Sequence, residues 1–510
     1  MKTHSRTMKS VANMVVGVGC QALSLVFTFI CRTVFIAILG AEYLGINGLY
    51  SSILIVLSLA ELGIANVMIY SLYKPIKEND EEAICSLLNY YKGVYRKIAA
   101  TVLILGLCIV PLLPVIIESD LAYKDLIIYY LMFLMNSVVS YFVSYKVSLI
   151  NADQKNYIFT SVSTACTLIT NIVQIIVLLV SKSFILYLLI MVIGTLMNNL
   201  ILSRKANKLY PYIQKKNTIA NSQRQEIKES IKAMFFLKIG NVIMNNTDNI
   251  LISIMIGTIF VGYYSNYALI VSVISTFIAI LIQSMQSSIG NLNAENDIQK
   301  SYRLFNLLIL FFHWLSAVCS LCFLVVFNDF ITIWIGEQFL LEMNVVIAIV
   351  FNFYIKIVVT PVWIYRETFG LFNQIKYIMF CAAILNLIFS IVLGTYWGLA
   401  GIILSTALAR LLTNVWVEPK LLFNRTFQQP VSNYWYKQLK HFLTTIIGIA
   451  VTIALTISMP VSMPFIIAKI FISIIVMSMA FLLSNLKGEE LGMINQYMSS
   501  FKKLARLRVS

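Results

Sequence analysis

Five cations and two carboxylates stand inside runs that are otherwise apolar: Arg32, Lys238, Lys356, Arg410 and Lys469, with Glu61 and Asp248. An Arg or Lys at the centre of a bilayer costs about 2.5–3.5 kcal/mol on insertion scales, so such a group faces a partner or a water-filled cavity. Lys238 and Lys469 lie about a turn and a half from a helix end, from which an ammonium group can reach the interface along its apolar stem. Arg32, Lys356, Glu61 and Asp248 lie deeper, and Arg410 is about two turns from the end of its run. Cations in a wet cavity offer charge-assisted hydrogen bonds in place of hydration, which is the chemistry of holding and moving an anion. Glu61 and Asp248 suit coupling or gating: either binds a proton or cation, or pairs with Arg32 as a gate or as a static tie. His313, alone among aromatic residues, reads as a hydrogen-bonded core histidine rather than a proton relay. Cys319 and Cys322 form a CxxC with no second ligand pair, which reads as packing rather than metal chemistry. There is no GxxxxGK[ST] phosphate loop, and no cofactor is implied.

These groups have to be placed by membrane-crossing helices. With 59% hydrophobic and 12% charged residues among 510, and a mean hydropathy of +0.85, the chain is outside the range of water-soluble proteins, which carry about 25% charged residues. Cutting it wherever charge, Pro or Gly interrupts an apolar run long enough to span hydrocarbon leaves fourteen segments. They are 11–38, 46–72, 98–117, 126–147, 157–181, 183–202, 233–256, 260–287, 304–327, 343–364, 377–396, 399–417, 441–459 and 464–484. The net charge of +16 would suggest nucleic acid in a soluble protein, but its placement explains it otherwise. Of the 38 Lys and Arg, 31 fall in the termini and alternate connections on one side, two (Lys124, Lys182) on the other, and five within spans. By the positive-inside rule both termini are cytoplasmic. The outer loops are too short for a folded domain, which disfavours a membrane glycosyltransferase or polysaccharide polymerase with catalytic acids outside.

The expected fold class is therefore all-α and polytopic, with about fourteen transmembrane helices. Residues 1–205 form an N-terminal six-helix lobe, 206–232 a cytoplasmic linker, 233–420 a second six-helix lobe, and 421–510 two further helices with a basic tail. From Leu491 that tail has the pattern of an interfacial helix. A repeat at an offset of 217 supports the two lobes: Gly40 and Gly45 lie over Gly257 and Gly262, followed by Tyr50 over Tyr267, Ile53 over Ile270, Val56 over Val273 and Ser58 over Ser275. The repeats have the same topology, so they are related by a pseudo-twofold along the membrane normal, as alternating access requires. Polar residues at helical spacing line several spans, among them Asn13, Gln21, Ser24, Thr28 and Arg32 in the first, Lys238, Asn241, Asn245 and Asp248 in the seventh, and Asn352, Lys356, Thr360 and Glu367 in the tenth. In helices four and five such residues read as interhelical glue.

The run Arg32-Thr-Val-Phe-Ile-Ala-Ile-Leu-Gly-Ala-Glu-Tyr-Leu-Gly-Ile-Asn-Gly-Leu-Tyr, with Glu61-Leu-Gly-Ile-Ala-Asn and Tyr70-Ser-Leu-Tyr, resembles the opening helices of Wzx-type bacterial polysaccharide flippases. These belong to the multidrug/oligosaccharidyl-lipid/polysaccharide (MOP) exporter superfamily, related to the multidrug and toxin extrusion (MATE) antiporters and to the lipid II flippase MurJ. Leu393-Gly-Thr-Tyr-Trp-Gly-Leu-Ala-Gly401 is similar to the glycine-rich turn between the family's eleventh and twelfth helices. The resemblance implies a non-enzymatic export, across the bacterial cytoplasmic membrane, of an oligosaccharide carried on undecaprenyl pyrophosphate. It implies a cationic cavity between two lobes, with Arg32 matching the family's first-helix arginine. Lys356 and Arg410 join it from their position and charge, and Gln21, Asn245, Tyr264 and Tyr267 are candidates for sugar hydroxyls. Glu61 stands where a second cation in helix two would be expected. The expected partners are the lipid-linked glycan, the phospholipid bilayer and polysaccharide polymerase or assembly proteins. An ion-coupled MATE-like antiporter is the alternative within the superfamily, where acids for cationic drugs would be favoured; here cations outnumber acids in the membrane five to two. A scaffold in an assembly complex would leave the polar stripes unexplained.

Overall fold

The computed structural model describes residues 2–486 and 492, apart from 62, 216, 295 and 296. Side chains are described from residue 16 onward, apart from residues 18, 60, 214, 233, 236–238, 287, 288, 291, 293, 294, 372, 373 and 376. The side chains of Asn13 and Lys238, and the amphipathic pattern from Leu491, thus lie outside the described residues.

The chain is an all-α polytopic membrane protein; among the described residues eleven helical stretches are long and apolar enough to cross a membrane, and two of them, Gly19–Leu57 and Tyr377–Phe427, each hold more than one of the apolar runs. Several of these helices are continuous in backbone hydrogen bonding yet broken in direction. Lys2–Leu57 turns at Gly40 (φ 84°, ψ −171°), which separates α1 (2–39) from α2. After residues 41–57, α2 runs on through a tight turn, Ser58–Glu61, into Ile64–Glu78. Phe372–Leu412 likewise turns at Gly398 (φ 56°, ψ −136°), giving α11 (372–397) and α12, which continues as Asn414–Leu422. Positive φ costs glycine nothing because it has no Cβ, so both corners are made where the sequence supplies one. The remaining helices are α3 (Glu81–Ile109), α4 (Tyr123–Ala152), α5 (Asn156–Ser181), α6 (Phe184–Leu209), α7 (Asn221–Asn246, then Asp248–Met255) and α8 (Thr258–Ala294). They are followed by α9 (Ile298–Ile335), α10 (Met343–Val358, then Thr360–Thr368), α13 (Ser432–Thr456) and α14 (Met463–Ser484).

Packing divides the chain within α8, into Met1–Ser265 and Asn266–Ser510. In the first unit α5 lies along the α1–α2 region and α6, while α4 packs against both α3 and α6. Phe35, Tyr43, Tyr129, Phe184 and Tyr187 form an edge-to-face cluster there, the geometry aromatic quadrupoles favour. In the second unit α10 packs against the α11–α12 region, and α9 against α10, α13 and α14. Phe305, Tyr365, Phe423, Phe427 and Tyr434 close one end of that unit. His313 is a buried core residue: its ring nitrogens meet Tyr354 Oη at 3.3 Å and Gln438 Oε1 at 2.7 Å.

Lys469 departs from expectation. Its ammonium does not extend to the interface; it donates to Asp329 Oδ2 of α9 at 2.5 Å, and the side chain is buried. A carboxylate on a neighbouring helix offers more than solvated headgroups once the stem is enclosed. Removing it by Lys469→Ala is expected to destabilise the solubilised protein by about 2 kcal/mol, read by thermal unfolding, because Asp329 loses its charge-assisted bond. Adding Asp329→Asn is expected to restore part of that loss.

Candidate functional site

Glu61, Asp248, Lys356 and Arg410 all sit beside breaks in their helices. Glu61 ends the tight turn of α2 just before Gly63, whose φ of 93° resets the backbone. Asp248 begins the second part of α7, after Thr247. Lys356 lies in the last turn before Val359, where Pro361 can offer no N–H to the preceding turn. Arg410 precedes Thr413, held at φ −120°, ψ −82°. A broken membrane helix leaves carbonyl and amide groups without intrahelical partners, and such breaks are tolerated where a cavity or protein supplies others.

In the first unit, α1 and α2 meet α7 and the start of α8 through glycine. A Cβ placed on Gly45 would overlap the carbonyl oxygen of Thr258, and one on Gly262 would overlap that of Ala41. Ala41 and Thr258 are counterparts at the offset of 217, as are Gly45 and Gly262. The two copies of the glycine turn therefore touch reciprocally, backbone against backbone. The leading glycines share a positive φ, 84° at Gly40 and 126° at Gly257. Arg32 and its counterpart Asn249 flank this contact: Arg32 Nη2 donates to Ser265 Oγ, and Asn249 Nδ2 to Ser52 Oγ at 2.9 Å. Arg32 also lies in the field of the Tyr187 hydroxyl. The loop after α3 closes over the same end, with Ser253 Oγ donating to Ile116 O at 2.7 Å and Glu118 N to Thr258 Oγ1 at 3.2 Å. Glu42 Oε1 accepts from Ser119 Oγ and from Asp120 N.

Asp248 is buried near Tyr264, and Glu61 faces Tyr95 and Tyr141. Tyr141 Oη donates to Ser58 Oγ at 2.6 Å, tying α4 to the broken part of α2. Neither Tyr95 nor Tyr141 carries a signal that separates it from the other membrane tyrosines in sequence. Asn245 is exposed and donates to Asn241 Oδ1 at 2.5 Å, and Gln21 is half-buried on α1. Tyr267 is different: it is fully buried, its hydroxyl donates to Asn328 Oδ1 at 2.8 Å and accepts from Leu341 N at 3.0 Å. That engagement ties α8 to α9 and leaves little of the hydroxyl for a ligand.

In the second unit Lys356 and Arg410 come together. Arg410 is buried, and its Nη1 donates to Asn352 Oδ1 at 3.0 Å, one turn before Lys356 on α10. Lys356 feels the repulsion of the Arg410 charge, and among the described residues no carboxylate is paired with it. Two like charges in each other's field, one on α10 and one on α12, are relieved by an anion bound near them. Nearer the ends of the same helices Arg366 Nη1 donates to the buried Glu418 Oε2 at 2.9 Å, and Asn414 Nδ2 to Glu418 Oε1 at 2.5 Å. Glu367 receives Arg366 at 3.4 Å and Gln286 Nε2 at 2.6 Å. Sequence reading places Arg366 and Glu418 in polar connections and so misses this pair. Elsewhere in the unit an apolar cavity of about 700 Å³ opens between α8, α9 and α14, walled by Leu308, Phe311, Trp314, Phe481 and Leu482.

Searches against family models and against curated proteins returned no match. Solved structures do match over most of the chain. The lipid II flippase MurJ, in an inward closed conformation, superposes with a TM-score of 0.66 at 14% identity, covering 94% of this chain and 99% of its own. An inward-facing multidrug resistance MATE family transporter of the MOP superfamily superposes at 0.60 and 12% identity, covering 79% and 96%. The MATE multidrug transporter DinF-BH, in complex with R6G, superposes at 0.56 and 15% identity, covering 81% and 97%. At these identities the likeness is one of fold, and the chain carries the transporter fold found in the lipid II flippase MurJ and in MATE transporters of the MOP superfamily.

Proposed function

We propose that this chain is a flippase, not an enzyme, exporting oligosaccharide units linked to undecaprenyl pyrophosphate across the bacterial cytoplasmic membrane by alternating access. The glycan then passes to polysaccharide polymerase and assembly proteins. The observation that carries this reading is the pairing of Lys356 with Arg410 at two helix breaks, with no carboxylate on Lys356 among the described residues. A site that stabilises cations by acids would suit a cationic drug; this one suits a pyrophosphate, whose passage through hydrocarbon is prohibitive without such replacement of its hydration. In the first unit Arg32 is a separate cation, next to the reciprocal glycine contact, where its hold on Ser265 can exchange for cargo as that contact opens. The apolar cavity beside α14 suits an isoprenoid chain, whose burial is favourable for each methylene. Outward movement of negative charge runs with an inside-negative potential, worth about 2.3 kcal/mol per charge per 100 mV.

Arg32→Ala combined with Lys356→Ala is expected to lower delivery of glycan to the outer face by at least about a hundredfold, in cells whose only copy is the variant, since each lost charge-assisted bond weakens binding by about 1.5–3 kcal/mol. Delivery at the wild-type rate would overturn the assignment. Glu61 between two tyrosines supports a second reading, an ion-coupled multidrug antiporter. Loss of dye efflux in Glu61→Gln, with glycan delivery intact, would favour that reading instead.

A further inference from the structure

A cavity with three cations on its wall lies in the first unit, reaching Ile64 just after the Gly63 turn, and the transport reading leaves its charges unused. It measures about 660 Å³ and opens where α3 meets the segment leading into α7. Lys97 of α3 and Arg224 and Lys228 of α7 line it, with Asn89 and Tyr90. On α3 the lining residues Asn89, Gly93, Lys97 and Thr101 recur every four positions, so one helical face supplies the wall. Arg224 and Lys228 repeat the spacing on α7. Like charges four apart repel along a helix, and a bound anion relieves that repulsion. Among the described residues none of the three cations pairs with a carboxylate, and no carboxylate lines the cavity.

The walls are fixed by contacts that do not consume these charges. Asn89 Nδ2 donates to Lys215 O at 2.9 Å and Asn217 O at 3.2 Å, which holds the segment before α7 against α3. The Arg224 guanidinium stands 5.8 Å over the Tyr90 ring, a cation–π contact that aims it without neutralising it. Gly93 keeps the space open, since a Cβ there would have nothing within 4 Å. Ile98 and Ile231 give the cavity an apolar side.

We propose that this cavity is a binding site for a phosphorylated ligand, taking a phosphate or diphosphate group between Lys97, Arg224 and Lys228. The ligand is either a lipid headgroup at the membrane surface or a soluble phosphate; the apolar side accommodates the first, and the charges serve both. The binding is independent of the flippase reading, so the test is made in the Arg32→Ala/Lys356→Ala background, which removes a membrane cation of each unit from the measurement. The full-length protein in phosphatidylcholine nanodiscs is titrated calorimetrically with inorganic pyrophosphate, and retention of phosphatidic acid over phosphatidylcholine is read by native mass spectrometry. Pyrophosphate is expected to bind, with affinity falling as salt rises. Lys97→Gln, Arg224→Gln and Lys228→Gln are each expected to weaken it about tenfold, and the triple variant to abolish it, while Arg224→Lys retains most of it. Parallel loss of phosphatidic acid retention in the triple variant identifies a lipid headgroup; loss of pyrophosphate binding alone identifies a soluble phosphate. The side chains are exposed, so unfolding temperatures are expected to stay unchanged. No binding of either probe, or equal binding by the triple variant, overturns the proposal.

Discussion

Gly262→Val is expected to separate the start of α8 from α2 and to depopulate the closed contact between the two glycine turns. The obstruction is not a flexible side chain that could swing aside. A Cβ at Gly262 runs into the carbonyl of Ala41 and approaches the backbone nitrogen of Gly45 at 3.1 Å, and the reciprocal change at Gly45 runs into Thr258. Both partners are backbone inside helices, so relief requires whole helix ends to part. Overpacking of this kind costs about 1–3 kcal/mol, or roughly a fivefold to hundredfold shift in the population of the closed contact. The pair Ser52→Cys and Asn249→Cys reports it, because those side chains meet at 2.9 Å. In a background with the eight native cysteines replaced, the pair is expected to cross-link efficiently, and the yield to collapse when Gly262→Val is added. Undiminished cross-linking would show that the helices accommodate the methyl groups without parting. On the proposed flippase reading, transport is expected to fail with the contact, since a cycle that cannot close at one end cannot return.

The second large effect is expected at Glu418. Glu418→Ala leaves the half-buried Arg366 guanidinium with only the longer contact to Glu367 at 3.4 Å, and Asn414 without the acceptor at 2.5 Å. Arg366 already has a buried Nε with no hydrogen-bond partner among the described residues. Breaking a buried pair by removing one member costs about 3–5 kcal/mol, because the remaining charge keeps its desolvation penalty and loses the attraction that offset it. Thermal unfolding of the solubilised protein is the measurement. Glu418→Gln, which keeps an acceptor oxygen, is expected to lose less, and Arg366→Met with Glu418→Leu to recover most of the stability. If Glu418→Ala unfolds at the wild-type temperature, the pair contributes nothing to holding α10 and α12 together.

The fold was largely legible. An apolar run such as 343–364 declares a membrane helix whatever surrounds it, because transfer into hydrocarbon is a property of each residue in turn. The glycine turns were legible for a related reason: Gly40 and Gly257 stand at matching positions of a repeat, and both adopt the positive φ that only glycine adopts freely. Of the candidate site, the polar stripe Asn352–Lys356 was readable as one helical face, and the structure adds Arg410 to it through Asn352. The fate of Lys469 was not readable. Distance from a helix end sets what its ammonium can reach along its own helix, but Asp329 is 140 residues away in the chain and enters only through packing. Arg366 and Glu418 show the same limit, since each looks like an ordinary charge in a polar connection until α10 and α12 are laid together.

What the sequence by itself determined is therefore which runs are apolar enough to cross hydrocarbon, the paired glycine turns and the set of charges that hydrocarbon tolerates poorly. Their energies depend on local composition and helical spacing. Only the tertiary structure decided which charges are satisfied by one another, as Lys469 is by Asp329, and which are gathered with like charge, as Lys356 is with Arg410. The physical reason is distance: an ionic interaction is set by separations of a few ångströms between helices, and a linear pattern does not encode which faces meet.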